Sequence, residues 1–116
     1  MRIATWNVNS IRVRLPQALA WLKKENPDVL CLQETKITDE EFPAAELRDA
    51  GYHAAYAGQK AYNGVATLSR MPAADVVGTL PGASGDQKRL LAATVNGVRV
   101  INVYVPNGES VESEKY

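Results

Sequence analysis

The sequence has little of the chemistry that many enzymes use. It contains one cysteine, Cys31, and one histidine, His53, in 116 residues. A single thiol excludes an internal disulfide and any zinc site built from several thiolates. Because Cys31 lies inside an apolar run, we expect a buried structural thiol in a reducing compartment rather than a catalytic nucleophile. His53 begins a predicted strand, which favours an ordinary strand position over a general base.

Several longer patterns are also absent. The sequence has neither a Gly-rich phosphate loop with Lys-Ser/Thr nor a dinucleotide fingerprint, so we expect no nucleotide cofactor. No apolar stretch reaches the roughly 18 residues that span a bilayer, and residues 1–6 lack the apolar core of a signal peptide. We therefore expect a cytoplasmic protein without a membrane partner.

The net charge of zero excludes no class of partner by itself. Thirteen basic and thirteen acidic side chains cancel, so no overall field indicates a nucleic-acid or membrane partner. Local basic residues can still cluster in the fold, so a DNA ligand is not excluded. The length suits one domain that buries about two-thirds of its unfolded surface.

The first third of the chain predicts a βαβ unit. A strand is expected over Arg2–Asn9, a helix from about Leu15-Pro16 to Asn26-Pro27, and a buried strand over Asp28–Gln33. Such a unit places the two strands parallel in a layered α/β sheet.

The remainder predicts one short helix and then β structure. The helix is interrupted by Pro43 and resumes over Ala44–Ala50, and Asn96-Gly97 is a strong hairpin signal. We expect the loop 81–86 to be mobile. Further strands are expected at Tyr52–Ala57, Gly64–Leu68, Val76–Leu80, Arg89–Val95 and Val98–Val105. The fold class is therefore α/β, a mixed sheet of about six or seven strands with two main helices. Two helices leave one sheet face short of cover, which suggests either a lopsided α+β domain or part of a longer chain.

Two polar residues stand where chemistry is expected. Asn7 and Glu34 follow the two parallel strands at their carboxyl ends, where ligands gather in such sheets. A carboxylate beside an amide oxygen suits Mg²⁺, which binds one or two protein carboxylates and keeps several waters. Two simpler interpretations stay open: Glu34 as an exposed charge paired with Lys36, and Asn7 as a turn or capping residue.

Four stretches together resemble the exonuclease III family of apurinic/apyrimidinic endonucleases, within the endonuclease/exonuclease/phosphatase superfamily. They are TWNVNSIR (5–12), PDVLCLQETK (27–36), GQKAYNGVATLSR (58–70) and VINVYVPNGE (100–109). The resemblance implies a four-layer α/β sandwich of two similar halves, of which residues 1–116 match the N-terminal half. It also implies Mg²⁺-dependent hydrolysis of DNA phosphodiesters, with Mn²⁺ as a possible substitute.

The resemblance also implies roles for individual residues. Glu34 matches a metal-binding glutamate, Asn7 an active-site asparagine and metal ligand, and Tyr104 a tyrosine that contacts the scissile phosphate. Asn107 stands where some members have glutamine. The DNA-binding positions implied are Lys36, Lys60, Asn63, Gly64, Lys88, Arg89 and Asn107. The family's Asp-x-Asn and closing Ser-Asp-His motifs have no counterpart in these 116 residues, so we expect no nuclease activity from this stretch alone.

The function predicted is that of a DNA-repair nuclease with AP endonuclease, 3′–5′ exonuclease and 3′-phosphatase or phosphodiesterase activities. Its substrate would be double-stranded DNA with abasic sites or 3′ ends, and the full-length protein would be a monomer. One alternative is a non-catalytic nucleic-acid-binding relative. Another is a phosphodiesterase that acts on lipids or inositol phosphates.

Overall fold

A computed structural model describes residues 1–58, 64–78 and 90–104 of the chain. Within those ranges two α-helices, one 3₁₀ turn and seven strands alternate in the order that the sequence predicts. The elements are β1 (Ile3–Asn7), α1 (Ile11–Glu25), β2 (Val29–Gln33), a 3₁₀ turn (Asp39–Glu41), α2 (Ala44–Asp49), β3 (His53–Ala57), β4 (Val65–Ser69), β5 (Ala73–Val77), β6 (Leu90–Val95) and β7 (Val98–Val103). The predicted mobile loop at 81–86 lies outside the described residues.

The βαβ unit is confirmed, since β1 pairs with β2 in parallel. The predicted start of α1 was wrong by about one turn, because Ser10 caps the helix and its hydroxyl accepts from the Val13 N–H. Pro16 consequently lies inside the helix, where it removes one backbone hydrogen bond without ending it. At the other end Asn26 adopts a left-handed φ of 49°, and its N–H donates to the Leu22 carbonyl.

The first sheet has the strand order β1-β2-β4-β3, with β4 antiparallel to both of its neighbours. One face of β2 and β4 packs against the helices. Apolar alternation explains this, since Leu30 and Leu32 point to the same side as Ala66 and Leu68. Their partners from the helices and loops include Val8, Ile11, Ala18, Leu22, Phe42 and Leu47, all buried.

The second sheet has the antiparallel order β5-β6-β7. Its β6–β7 turn is the predicted hairpin, and Asn96 and Gly97 both have positive φ, 51° and 80°. The described strands thus form two sheets rather than the single mixed sheet we expected, because alternation shows which face is apolar but not which strands pair. Val95 and Val100 of this sheet pack on Val29 and Cys31. The face that the sequence left uncovered is therefore covered by the chain's own strands.

One side of this arrangement stays open. The edge strands β1 and β7 border a cleft of about 460 Å³, and the apolar side chains of Ile3, Ile101 and Val103 are 50%, 61% and 46% exposed. Among the described residues, no helix combines the length and apolar character needed to span a membrane.

Candidate active site

Two loops meet at the carboxyl edge of the parallel strands. The loop after β1 and the loop after β2 continue the strand ladder beyond its last residues, so neither loop can shift without the other. Asn7 and Glu34 come side by side, as predicted. The bonds that join the loops run from Val8 N–H to the Gln33 carbonyl (3.0 Å), Ser10 N–H to the Glu34 carbonyl (2.8 Å) and Ile11 N–H to the Thr35 carbonyl (3.0 Å).

A short hydrogen bond fixes the Glu34 carboxylate. Asn7 Nδ2 donates to Glu34 Oε2 at 2.6 Å, while Asn7 Oδ1 accepts from the Asn9 backbone N–H at 3.1 Å. The Asn9 N–H can only donate, so it fixes which end of the Asn7 amide faces the carboxylate. Glu34 has a φ of 57°, which breaks the strand alternation and turns its side chain towards Asn7.

Two further groups face the same carboxylate. The Tyr104 hydroxyl forms a hydrogen bond with Glu34, and Lys36 Nζ lies 3.6 Å from Glu34 Oε1. Lys36 Nζ also donates to Asn9 Oδ1 at 2.5 Å. The Asn7 hydrogen bond, together with those from Tyr104 and Lys36 and the Lys36 charge, holds the pKa of Glu34 below its ordinary value against the opposing effect of burial. Glu34 is therefore a carboxylate at neutral pH, with 22% of its side chain exposed.

Gly64 contacts the loop that carries Glu34. Thr35, which is buried, donates its N–H to the Gly64 carbonyl at 3.1 Å. Gly64 has a φ of 94°, and a Cβ there would lie 2.2 Å from Thr35 Oγ1. This geometry explains a requirement for glycine without any DNA contact, so the DNA-binding role of Gly64 stays a prediction. Five predicted DNA-binding positions, Lys60, Asn63, Lys88, Arg89 and Asn107, lie outside the described residues.

The one cysteine and the one histidine of the sequence are not among the groups that act on the Glu34 carboxylate. Cys31 is buried, as predicted, and burial raises the pKa of its thiol despite a hydrogen bond with Thr67. His53 starts β3 and pairs with Ser69, whose other partner is Val29 at the start of β2. His53 therefore lies at the opposite end of the sheet from Glu34. Neither residue is placed to act on a group bound at Glu34.

The described residues supply one carboxylate for a hard cation and no larger set of ligands. Within the described ranges no group of three or more His, Cys, Asp or Glu side chains is gathered in one place. The site offers one ionised carboxylate, which is within the range that Mg²⁺ accepts when waters complete its shell. The Asn7 oxygen already accepts from Asn9. An amide oxygen has a second lone pair, so coordination by Asn7 and by Glu34 both stay predictions.

Three polar residues that support the site were not singled out from the sequence. Asn9 holds Lys36, and the amides of Gln33 and Asn102 are hydrogen-bonded to each other below the site. The signal that could have found Gln33 and Asn102 is a polar side chain at an inward-facing position of an otherwise apolar strand.

Comparison with known proteins shows the family of the chain. Residues 4–114 match the model of the endonuclease/exonuclease/phosphatase family. Exodeoxyribonuclease III of Haemophilus influenzae is 37% identical over 95% of this chain and 43% of its own length. The 3′ phosphatase NExo from Neisseria, solved bound to a product DNA hairpin, superposes with a TM-score of 0.90 at 54% identity, covering 94% of this chain and 43% of that one.

A second solved structure agrees. An AP endonuclease from Archaeoglobus fulgidus gives a TM-score of 0.89 at 46% identity, over 93% of this chain and 42% of that protein. The chain spans less than half the length of these relatives. The fold, the order of the motifs and the family match, which covers nearly every residue, lead to one conclusion: this chain belongs to the endonuclease/exonuclease/phosphatase family.

Proposed function

We propose that the complete protein is a Mg²⁺-dependent DNA phosphodiester hydrolase of the exonuclease III type. The observation that carries the proposal is the Glu34 carboxylate, held ionised by Asn7, Tyr104 and Lys36 at the carboxyl edge of the sheet. Relatives named exodeoxyribonuclease, 3′ phosphatase and AP endonuclease support the reaction class. The expected substrates are double-stranded DNA with abasic sites or with 3′ ends.

Each residue at the site has a distinct task in this proposal. Glu34 would bind the cation through its carboxylate, and Asn7 holds that carboxylate in one orientation through its Nδ2 donor. Once bound, Mg²⁺ would neutralise the charge that builds on the phosphoryl oxygens. Tyr104 and Lys36, which face Glu34, then supply a hydroxyl and an ammonium donor to the scissile phosphate. Both donors lie beside Glu34. Tyr104 has one O–H, so it would exchange its bond with Glu34 for one with the phosphate.

Water activation is assigned to no described residue. The one histidine lies at the far end of the sheet, and the one cysteine is buried with a raised pKa. The stretch of 116 residues is therefore proposed to hold the metal-binding and phosphate-binding part of the site. Because no described residue is assigned to water activation, we predict that the 116-residue stretch lacks nuclease activity by itself.

DNA positioning is proposed for the basic and small residues that the family resemblance indicates. Lys60, Lys88 and Arg89 would neutralise backbone phosphates, and Asn63, Gly64 and Asn107 would approach the strand closely. Phosphate contacts position a protein on DNA and make its affinity salt-dependent.

The first alternative, a non-catalytic nucleic-acid-binding relative, predicts no need for an ionised carboxylate held by three partners. The second, a lipid or inositol-phosphate phosphodiesterase, predicts no preference for DNA. An assay of the complete gene product on an abasic-site duplex, on a 3′-phosphorylated duplex and on an inositol phosphate separates the three. We expect cleavage of the DNA substrates with Mg²⁺ and none with EDTA. Metal-independent DNA binding without cleavage would favour the first alternative.

A further inference from the structure

A second layer of polar side chains lies directly beneath the site. Gln33 Nε2 donates to Thr5 Oγ1 at 2.8 Å and to Asn102 Oδ1 at 2.9 Å. The three residues belong to β1, β2 and β7. Those same strands lead into the site residues: Thr5 precedes Asn7 by two positions, Gln33 is followed by Glu34, and Asn102 precedes Tyr104 by two positions. Gln33 thus joins the three strands just before the site residues Asn7, Glu34 and Tyr104.

Asn102 extends this layer into the interior between the two sheets. It is 2% exposed, and its Nδ2 donates to the carbonyls of Leu32 (3.1 Å) and Ala66 (2.8 Å). Because those carbonyls can only accept, the Asn102 oxygen must face Gln33. Asn102 is buried and Gln33 is half-buried. Hydrogen bonds between side-chain amides in such a setting rigidify their surroundings and favour one arrangement. An apolar side chain of similar volume would fill the same space without fixing that arrangement.

The position of this pair distinguishes it from ordinary packing. The apolar contacts between the sheets, Val29 and Cys31 with Val95 and Val100, include the start of β2. Gln33 ends that strand, roughly 13 Å further along at the usual rise per residue. These apolar contacts involve the start and the middle of β2, and the amide pair joins the sheets at the end of β2 that leads into Glu34.

We propose that Gln33 and Asn102 are positioning residues that hold Tyr104 against Glu34 by fixing β7 on β2 at the site edge. Their role in this proposal is structural support of the site, since Asn102 and the Gln33 Nε2 group are hydrogen-bonded within the protein. An effect on kcat rests on the proposed function, whereas an effect on the position of Tyr104 does not. Loss of the Gln33 donor leaves the Asn102 oxygen without that partner while the Nδ2 bonds remain. We expect this to loosen the end of β7 and so to shift Tyr104 relative to Glu34.

A double-mutant cycle on the complete gene product tests the proposal. Gln33→Met keeps the length of the side chain and removes the donor. We expect it to lower kcat on an abasic-site duplex about 10-fold with KM nearly unchanged, and to add little to Tyr104→Phe because both changes remove the same interaction. Val100→Ala is the matched control: it loosens the sheet contact on the same strand and should lower Tm without lowering kcat.

The opposite results would overturn the proposal. If the losses of kcat in Gln33→Met and Tyr104→Phe multiply in the double variant, the two residues act independently. If Val100→Ala loses as much kcat as Gln33→Met, the loss reflects general loosening of the fold. Either result would mean that Gln33 only stabilises the fold.

A second measurement does not need activity. With ¹³C-labelled tyrosine, the Tyr104 signal, assigned through Tyr104→Phe, should shift in Glu34→Gln and shift in the same direction in Gln33→Met, but not in Val100→Ala. An unmoved signal in Gln33→Met would contradict the positioning role. If the wild-type protein cleaves no DNA, the proposed function fails, and this comparison still decides the role of Gln33.

Discussion

Asn7 and Glu34, 27 positions apart in the sequence, are joined by a hydrogen bond of 2.6 Å across the ends of two parallel strands. The bond orients a carboxylate and keeps it ionised. Because Asn7 is itself held by the Asn9 N–H, the carboxylate is positioned before any ligand arrives.

This bond has a measurable effect on proton binding. Asn7→Ala should raise the pKa of Glu34 towards its ordinary value of about 4.3, because the largest cause of the lowered pKa is removed. A ¹³C NMR titration of the Glu34 carboxyl in metal-free buffer measures the change. Gln17→Ala, on an exposed position of α1, is the control and should leave the titration where it is.

The sign of the stability effect follows from the direction of the shift. A lowered pKa in the folded state stabilises the protein above the unfolded pKa, and that contribution is lost as pH falls through the folded value. The difference in unfolding free energy between wild type and Asn7→Ala should therefore be full at pH 7 and shrink below about pH 4. A difference that stays constant down to pH 2 would show that Asn7 does not act through the Glu34 charge.

Gly64→Ala should disturb the loop that carries Glu34. The new Cβ would meet Thr35 Oγ1 at 2.2 Å, in a backbone conformation that disfavours side chains. We expect a loss of about 1–3 kcal/mol in the free energy of unfolding, measured by urea denaturation. Gly97→Ala is a matched control, since Gly97 also has a positive φ but its Cβ would have no neighbour within 4 Å. Combining Gly64→Ala with Thr35→Ala should recover part of the loss. Equal losses at Gly64 and Gly97 would mean that the contact with Thr35 is unimportant.

The 116-residue chain by itself should associate in solution. The reason is the open side formed by β1 and β7, where Ile3, Ile101 and Val103 are each about half exposed. Among the described strands, β1 and β7 are edge strands with no partner on this side. Light scattering after gel filtration measures this, and Ile3→Lys with Ile101→Lys should reduce it. A monodisperse wild-type chain that unfolds cooperatively as a monomer would contradict the prediction.

The sequence predicted much of the fold because its signals are local. The βαβ unit follows from apolar runs separated by a helical pattern, and the β6–β7 hairpin follows from Asn96-Gly97, whose residues tolerate positive φ. The predicted start of α1 was wrong because proline is typical of a first helical turn, whereas here the helix begins after the Ser10 cap and Pro16 lies inside it. The division into two sheets was missed because pairing partners depend on contacts between distant strands, which alternation does not encode.

The sequence predicted the site residues at the strand ends, but not the hydrogen bonds that support them. Glu34 and Asn7 stand at strand ends, where position alone indicates a shared edge, and the family resemblance supplied Tyr104 and Lys36. The left-handed backbone at Glu34 is a property of the folded loop. The hydrogen bond between Gln33 and Asn102 joins residues 69 positions apart in the sequence. No pattern within one segment reports such a contact.

The central claim is that Glu34 binds the cation required for cleavage, and one comparison tests it most directly. Glu34→Gln in the complete gene product should lower Mg²⁺-dependent nicking of an abasic-site duplex by about 100-fold or more, even at saturating Mg²⁺. Glu25→Gln, in an exposed ion pair with Arg2 at the opposite end of β1, should cleave at the wild-type rate. Nicking by Glu34→Gln at the wild-type rate, with the fold intact, would contradict the account.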